Sequence, residues 1–299
     1  MTEIFTQMES AYAAYPINIT LAIGFMGVGL AMKTAIFPFH EWLPDAYASA
    51  VAPSSAILSG LVSKLYMLML IKVIYRVFGL PVIDSLGAPL VMVLFASAAM
   101  VMGSIFALGQ TNYKRMLAYS SVAQVGVLLL ALSLSTAAGL TAMFFYMISH
   151  AITKALLFLV GGSSEYYLER RTLASMRGLG YLMPLSMGAL AIGAFAMVGI
   201  PGTSGFIAKF QLALAFNEAG QWGFVVLLIA SSILSAIYLF PVVINGFVRD
   251  IDDQTVGLEK IPWTMALSVF LLGAMILTLG FAPNLIMPTI EAAVAAIGF

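Results

Sequence analysis

Four lysines interrupt stretches that otherwise carry no charge: Lys33 in GFMGVGLAMK, Lys64 in LSGLVSKLYML, Lys154 in MISHAITKALLF and Lys209 in SGFIAKFQLALAF. Removal from water disfavours an ammonium, so a lysine held in such surroundings can exchange its proton near neutral pH. Ionisable side chains inside apolar spans mark ion or proton paths by default. The competing explanation is snorkelling, in which the stem lies along the helix and the charge reaches the headgroups. Snorkelling suits Lys72, Arg76 and Lys114, which stand near the ends of apolar stretches. Lys64 and Lys154 each lie roughly ten residues inside their stretch, too deep for a stem to escape at about 1.5 Å of rise per residue. Lys33 and Lys209 are intermediate by position alone.

Other polar groups gather around these lysines. Tyr146, His150 and Lys154 are spaced four apart and share one helix face, with Ser149 and Thr153 beside them. A histidine one turn from a lysine suits a proton relay, and equally a packed, neutral ring. His40, next to Glu41 and close to Asp45 in PFHEWLPDA, reads either as part of a path or as a structural cap. Ser120, Ser121 and Gln124 could line a hydrated route or bond between helices packed through small residues. Glycines 24, 27 and 29 precede Lys33, and Gly199, Pro201, Gly202 and Gly205 precede Lys209. In each case the punctuation ends four residues before the lysine, a pattern expected of broken helices in corresponding positions of two repeats.

The elements that must position these groups follow from composition. Of the 299 residues 62% are hydrophobic and 9% charged, and the mean hydropathy is +1.04. That describes an all-α polytopic membrane protein. The apolar stretches run on without alternation, which argues against a β-barrel. Gly, Pro and charge punctuation divides them into about eight spans, over 17–37, 54–79, 86–109, 115–134, 138–161, 181–216 (interrupted), 222–247 and 262–281. Residues 1–16 read as a polar leader without the basic start of a signal peptide. Residues 17–281 form the transmembrane domain, and 282–299 a tail at the interface. Zero cysteines and two histidines leave no metal, iron–sulfur or other cofactor site to expect. A formal net charge of zero gives no sign of nucleic-acid binding, and the spans hold no nucleophile or carboxylate pair to suggest an enzyme. The acidic cluster RDIDDQ, 249–254, reads as a solvated loop.

Lys114, Arg115, Arg170, Arg171, Arg177, Arg249 and Lys260 fall in loops on one side, against Lys72 and Arg76 on the other. The positive-inside rule then places the larger group in the cytoplasm and both termini outside a cell inner membrane.

Five blocks carry a resemblance: K-x4-PFH-x-WLPDA (33–46), S-x-L-x4-K (55–64, loosely kept), KR-x-LAYSS-x-x-Q-x-G (114–126), SHA-x-x-KA-x-LF (149–158) and GIPGTSGF-x-x-KF (199–210). With them the sequence resembles the antiporter-like membrane subunits of proton-pumping NADH:quinone oxidoreductase, Mrp-type sodium/proton antiporters and membrane-bound hydrogenases, and of the three it looks closest to the Mrp type. The resemblance implies a fourteen-helix fold with two inverted repeats, of which this chain matches the last eight helices. It implies that Lys33, Lys64, His150, Lys154 and Lys209 form the ion path, and that a glutamate on a helix absent here pairs with Lys33. Pro53 stands later than the family's helix-opening proline. Partners implied are other integral membrane subunits, one of them supplying the missing helices unless the sequence is the C-terminal fragment of a longer chain, with H+ and, in the antiporter case, Na+ as the transported ions. A redox-driven pump subunit and a non-conducting truncated scaffold remain as alternatives.

If His150 relays protons, His150→Gln slows transport and moves its pH optimum. An unchanged rate and profile between about pH 6 and 9 would assign the ring to packing.

Overall fold

A computed structural model describes residues 2–168, 172–248 and 262–298. Regular structure among them is helical, apart from a single antiparallel bridge between Asn112 and Thr172. The helices are α1 (Thr2–Ala14), α2 (Pro16–Thr34), α3 (Trp42–Ser49), α4 (Ala52–Phe78), α5 (Leu80–Ser85), α6 (Ala88–Leu108), α7 (Tyr113–Leu132), α8 (Ala137–Leu168), α9 (Pro184–Val198), α10 (Ser204–Glu218), α11 (Trp222–Phe247), α12 (Trp263–Phe281) and α13 (Met287–Ile297). Seven of these are long and apolar enough to cross a membrane. The remaining expected span is the pair α9 and α10, neither of which is long enough alone.

Helix starts follow local chemistry. Pro53 lies in the first turn of α4, where its fixed φ and missing N–H do no harm, so its late position is a normal helix start. The Asn112 side chain accepts the Arg115 N–H at 3.0 Å to open α7, and the Thr203 hydroxyl accepts the Phe206 N–H to open α10. The α9–α10 break is built from Gly199 at φ 92° and Gly202 at φ 88° flanking Pro201.

The first span differs from the sequence expectation. Its glycines 24, 27 and 29 sit inside an uninterrupted α2, and the break follows Lys33 instead of preceding it. Ala35 turns the chain in a left-handed conformation, and Trp42 closes the end by donating its indole N–H to Met32 O at 2.8 Å. Within residues 1–16, expected as a leader, Thr2–Ala14 form α1 and Pro16 starts α2, and α1 packs against α5 and the end of α4. The tail holds α13, whose Ala296 carbonyl accepts from the Arg76 guanidinium.

The core is centred on α7 and α8, with 89% of the α7 window buried. Close approach of α6 and α7 rests on glycine: a methyl on Gly126 would stand 2.7 Å from Ala96 O, and one on Gly103 2.7 Å from Ala123 N. Small residues supply the attraction between such helices by letting backbones meet.

The basic loops share one end of the bundle. Arg115 pairs with Asp45 at 2.9 Å, Asn112 bridges Thr172, and Gly178 N–H donates to Asn245 O at 3.0 Å. Arg76 and the tail lie together on α4's far end. Arg170, Arg171, Arg249, Lys260 and the 249–254 loop lie outside the described residues.

Gly126→Leu forces α6 away from α7 and destabilises the detergent-solubilised protein by about 2 kcal/mol, within the range for an overpacked core. Thermal melting checks it, and an unchanged midpoint would show that the two helices are not held by this contact.

Candidate functional site

Three of the expected lysines are buried in one row: Lys154 is 0% exposed, Lys64 5% and Lys209 8%. None has a carboxylate within 4.0 Å among the described residues. Main-chain carbonyls and hydroxyls hold them instead, and each acceptor has a local cause.

Lys209 donates to Met197 O at 2.7 Å, Val198 O at 3.1 Å and Ser232 Oγ at 2.8 Å. Residue 201 is proline, so Met197 O has no N–H four residues on to receive. The broken helix therefore presents carbonyls that an ammonium can occupy.

Lys64 follows a π-helical turn, Leu58–Val62, within α4. There Ser63 N–H reaches Leu58 O. The Ser59 carbonyl, which an α-helical Ser63 N–H would take, accepts the Ser63 hydroxyl at 3.0 Å and the Lys64 ammonium. Lys64 also donates to Ser63 Oγ at 3.2 Å. Such turns inside helices recur at functional sites.

Lys154 donates to Leu117 O at 2.8 Å and to Ser120 Oγ. Leu117 O also accepts from the Ser121 hydroxyl at 2.9 Å, and Ser121 meets Ser59 across the helices at 3.1 Å. Hydrogen bonds thus run from the Lys64 turn through Ser59, Ser121 and Leu117 O to Lys154. Of Ser120 and Ser121, for which sequence left both path and packing open, Ser120 receives the Lys154 ammonium directly and Ser121 shares its acceptor, Leu117 O.

Tyr146 and His150 share a face as expected, stacked at 6.3 Å. His150 is buried, and both ring nitrogens lack a protein partner among the described residues. It bonds to neither Lys154 nor Tyr146, yet it lies within electrostatic reach of Lys64, Lys154 and Lys209. The relay spacing thus places the ring among all three charges without a direct link.

Lys33 departs from the expectation of a buried charge. It is exposed on α2, with its ammonium 6.0 Å from the centroid of the Tyr66 ring, and no ion pair holds it among the described residues. Spacing fixes depth along a helix but not which neighbours cover its face, and α2 is the least covered of the spans, 17% buried.

His40 packs as a ring. It is buried among Phe37, Phe106 and Tyr119, with centroids 5.2, 5.9 and 6.1 Å away. Burial pushes its pKa below the usual imidazole value, opposed by the Glu41 charge and a main-chain bond to Pro38. At the basic end Lys114 pairs with Glu165 at 2.7 Å and donates to Ala50 O at 2.8 Å, tying the α3–α4 joint to α7 and α8. No cluster of three or more potential metal ligands occurs among the described residues.

Residues 1–237 match the family model described as "NADH:quinone oxidoreductase/Mrp antiporter, TM". The chain belongs to this family. Subunit N of the NADH-quinone oxidoreductase of Desulforudis audaxviator is 34% identical over 278 residues, which make up 88% of this chain and 54% of that protein. Among solved structures, a chain of the Mrp complex from Dietzia superposes with a TM-score of 0.84 at 26% identity, over 93% of this chain and 59% of the other. A chain of an archaeal membrane-bound sulfane sulfur reductase gives 0.81 at 31% identity, over 90% and 54%. The chain therefore spans little more than half the length of the relatives it matches.

Sequence reasoning missed Ser59, Ser63, Ser204 and the α11 hydroxyls Ser231, Ser232, Ser235 and Tyr238. Ser204 meets Ser149 at 2.7 Å, beside the His150 face. The SSILSAIY stretch of α11 does carry a signal, since Ser231, Ser235 and Tyr238 fall on one helical face.

Proposed function

We infer that this chain translocates protons, or exchanges Na+ for protons, as one subunit of a multisubunit membrane complex. The observation that carries the reading is the row of buried lysines held by carbonyls and hydroxyls, without carboxylates. A charge so placed is stabilised by dipoles alone and can be lost and regained without breaking a salt bridge. A proton arriving at one amine makes a charge that repels the next ammonium, and the disturbance passes along Lys64, Lys154 and Lys209, with His150 among them. This chemistry requires no cofactor in the chain.

Family membership supports the transport reading, and the relatives divide on its energy source. The Mrp superposition favours an ion-driven antiporter. The similarity to subunit N of an NADH-quinone oxidoreductase favours a pump driven by redox partners. The clustering of Lys114 and Arg115 at the end that also holds Arg177 supports a cytoplasmic placement of that end in a cell inner membrane, with both termini outside.

Lys33 belongs to the same path with its counter-charge on another polypeptide. An ammonium on an apolar face finds a partner or loses its charge in lipid. Along the same helix Ile17, Leu21, Phe25 and Met32 are exposed, with Phe25 at 76%. That polypeptide supplies a carboxylate facing Lys33.

Lys209→Ala abolishes pH-gradient-linked transport in vesicles while assembly persists, and Lys209→Arg fails as well because guanidinium keeps its proton. Wild-type rates in either variant would remove Lys209 from the path. Purification in mild detergent followed by mass spectrometry recovers a second polytopic membrane chain. An active, monodisperse preparation of this chain alone would refute the partner.

A further inference from the structure

The break before Lys209 also opens sideways. A groove of about 620 Å3 runs between α10 and α11 and reaches Val198 and Gly199 at the end of α9. Its volume is that of a small-molecule site, which spans roughly 300–1,000 Å3. Phe206 and Phe210, stacked at 5.8 Å, form one wall, and Ile233 and Ile237, both exposed, form the rim of the other. Among the described residues that line it, Lys209 is the only charged one and Ser232 the only other polar side chain. The ammonium is met by neutral oxygens alone, Met197 O, Val198 O and Ser232 Oγ, with no carboxylate within 4.0 Å among the described residues. The groove is therefore complementary to one apolar chain that ends in a single anion.

Depth selects which anion. Ser232 stands ten residues from Trp222, the exposed residue that opens α11. Ten residues of helix rise about 15 Å, half of the roughly 30 Å hydrocarbon core. A phospholipid phosphate keeps its charge and stays with the headgroups, whereas a carboxylic acid sheds its charge on protonation and enters the core as a neutral group. We propose that the groove binds a long-chain monocarboxylic acid, its chain lying between α10 and α11 and its carboxylate on the Lys209 ammonium. The acid O–H bond breaks and an N–H bond forms on the Lys209 amine, so neutral acid and neutral amine become carboxylate and ammonium with no net charge carried in. One carboxylate oxygen takes the place of Ser232 Oγ, and that hydroxyl keeps its bond to Leu228 O at 3.0 Å. An adjacent anion favours the charged form of the lysine, which then holds its proton, so the bound acid arrests transport. That consequence rests on the transport reading above; the binding does not.

The test uses the chain with its co-purifying subunits, and palmitate as the probe. Native mass spectrometry in mild detergent is expected to show palmitate retained at least tenfold more tightly than two controls. Hexadecanol has the chain without the acid, and phosphatidylglycerol has an anion that stays at the surface. Ala236→Phe fills the groove from α11, and Ile233→Trp covers its rim from an exposed position. Each variant weakens palmitate binding at least tenfold and keeps the wild-type transport rate in vesicles. Saturating palmitate slows the wild type at least tenfold and spares both variants. Palmitate bound no better than either control, or held by both variants as by wild type, would overturn the site. Palmitate that binds the wild type yet leaves its rate unchanged overturns the arrest where Lys209→Ala is inactive. Where Lys209→Ala transports fully, it is the transport reading that fails.

Discussion

Lys64, Lys154 and Lys209 are neutralised by dipoles, not by opposite charges, and the rest of the architecture serves that arrangement. A carboxylate would bind each ammonium firmly in a dry interior, where breaking one partner away leaves a costly isolated charge. Carbonyl and hydroxyl oxygens bind it enough to be tolerated and release it without leaving an anion behind. Such carbonyls are scarce in a membrane helix, since each is normally taken by an N–H four residues on. The structure obtains them where the ladder is disturbed: at Pro201 for Lys209 and at the π turn before Lys64. Leu117 O on α7 is shared among Lys154, Ser120 and Ser121.

The most buried helices, α7 and α8, carry the middle of the row, while the broken and bulged elements stand around them. A rigid pair at the centre keeps the distances to Ser120 and Leu117 fixed, and the glycine contact with α6 anchors that pair. The least covered helix, α2, carries Lys33, the one of the four expected path lysines without acceptors among the described residues. Coverage and acceptors therefore vary together: where the chain provides acceptors it also buries the charge, and on the face it leaves open the charge has none among the described residues.

Much of this was legible in the sequence. A lysine in the middle of an uncharged window announces itself, and the Pro201 break before Lys209 is visible as GIPGTSG. The face on which Lys33 emerges was not legible, because periodicity within α2 says nothing about which neighbours are present. Glycines 24, 27 and 29 suggested a break that α2 does not have, since glycine is frequent in intact membrane helices. The π turn at 58–62 has no sequence signature comparable to a proline. The serines of α11 carry no charge to single them out, and their place in the site shows only where Ser232 receives the Lys209 ammonium.

The π turn has a consequence of angular phase. A π turn accommodates one residue more than an α-helix would over the same stretch, and each residue of an α-helix advances the side-chain direction by about 100°. Lys64 stands immediately beyond that turn. In an ideal helix laid over the same start, its stem would leave α4 about a quarter-turn away, toward the side where Leu61 and Leu65 face outward. The bulge thus works as an indexing tooth: a single extra residue aims the ammonium at Ser59 and the α7 face, and the apolar residues around it keep the membrane.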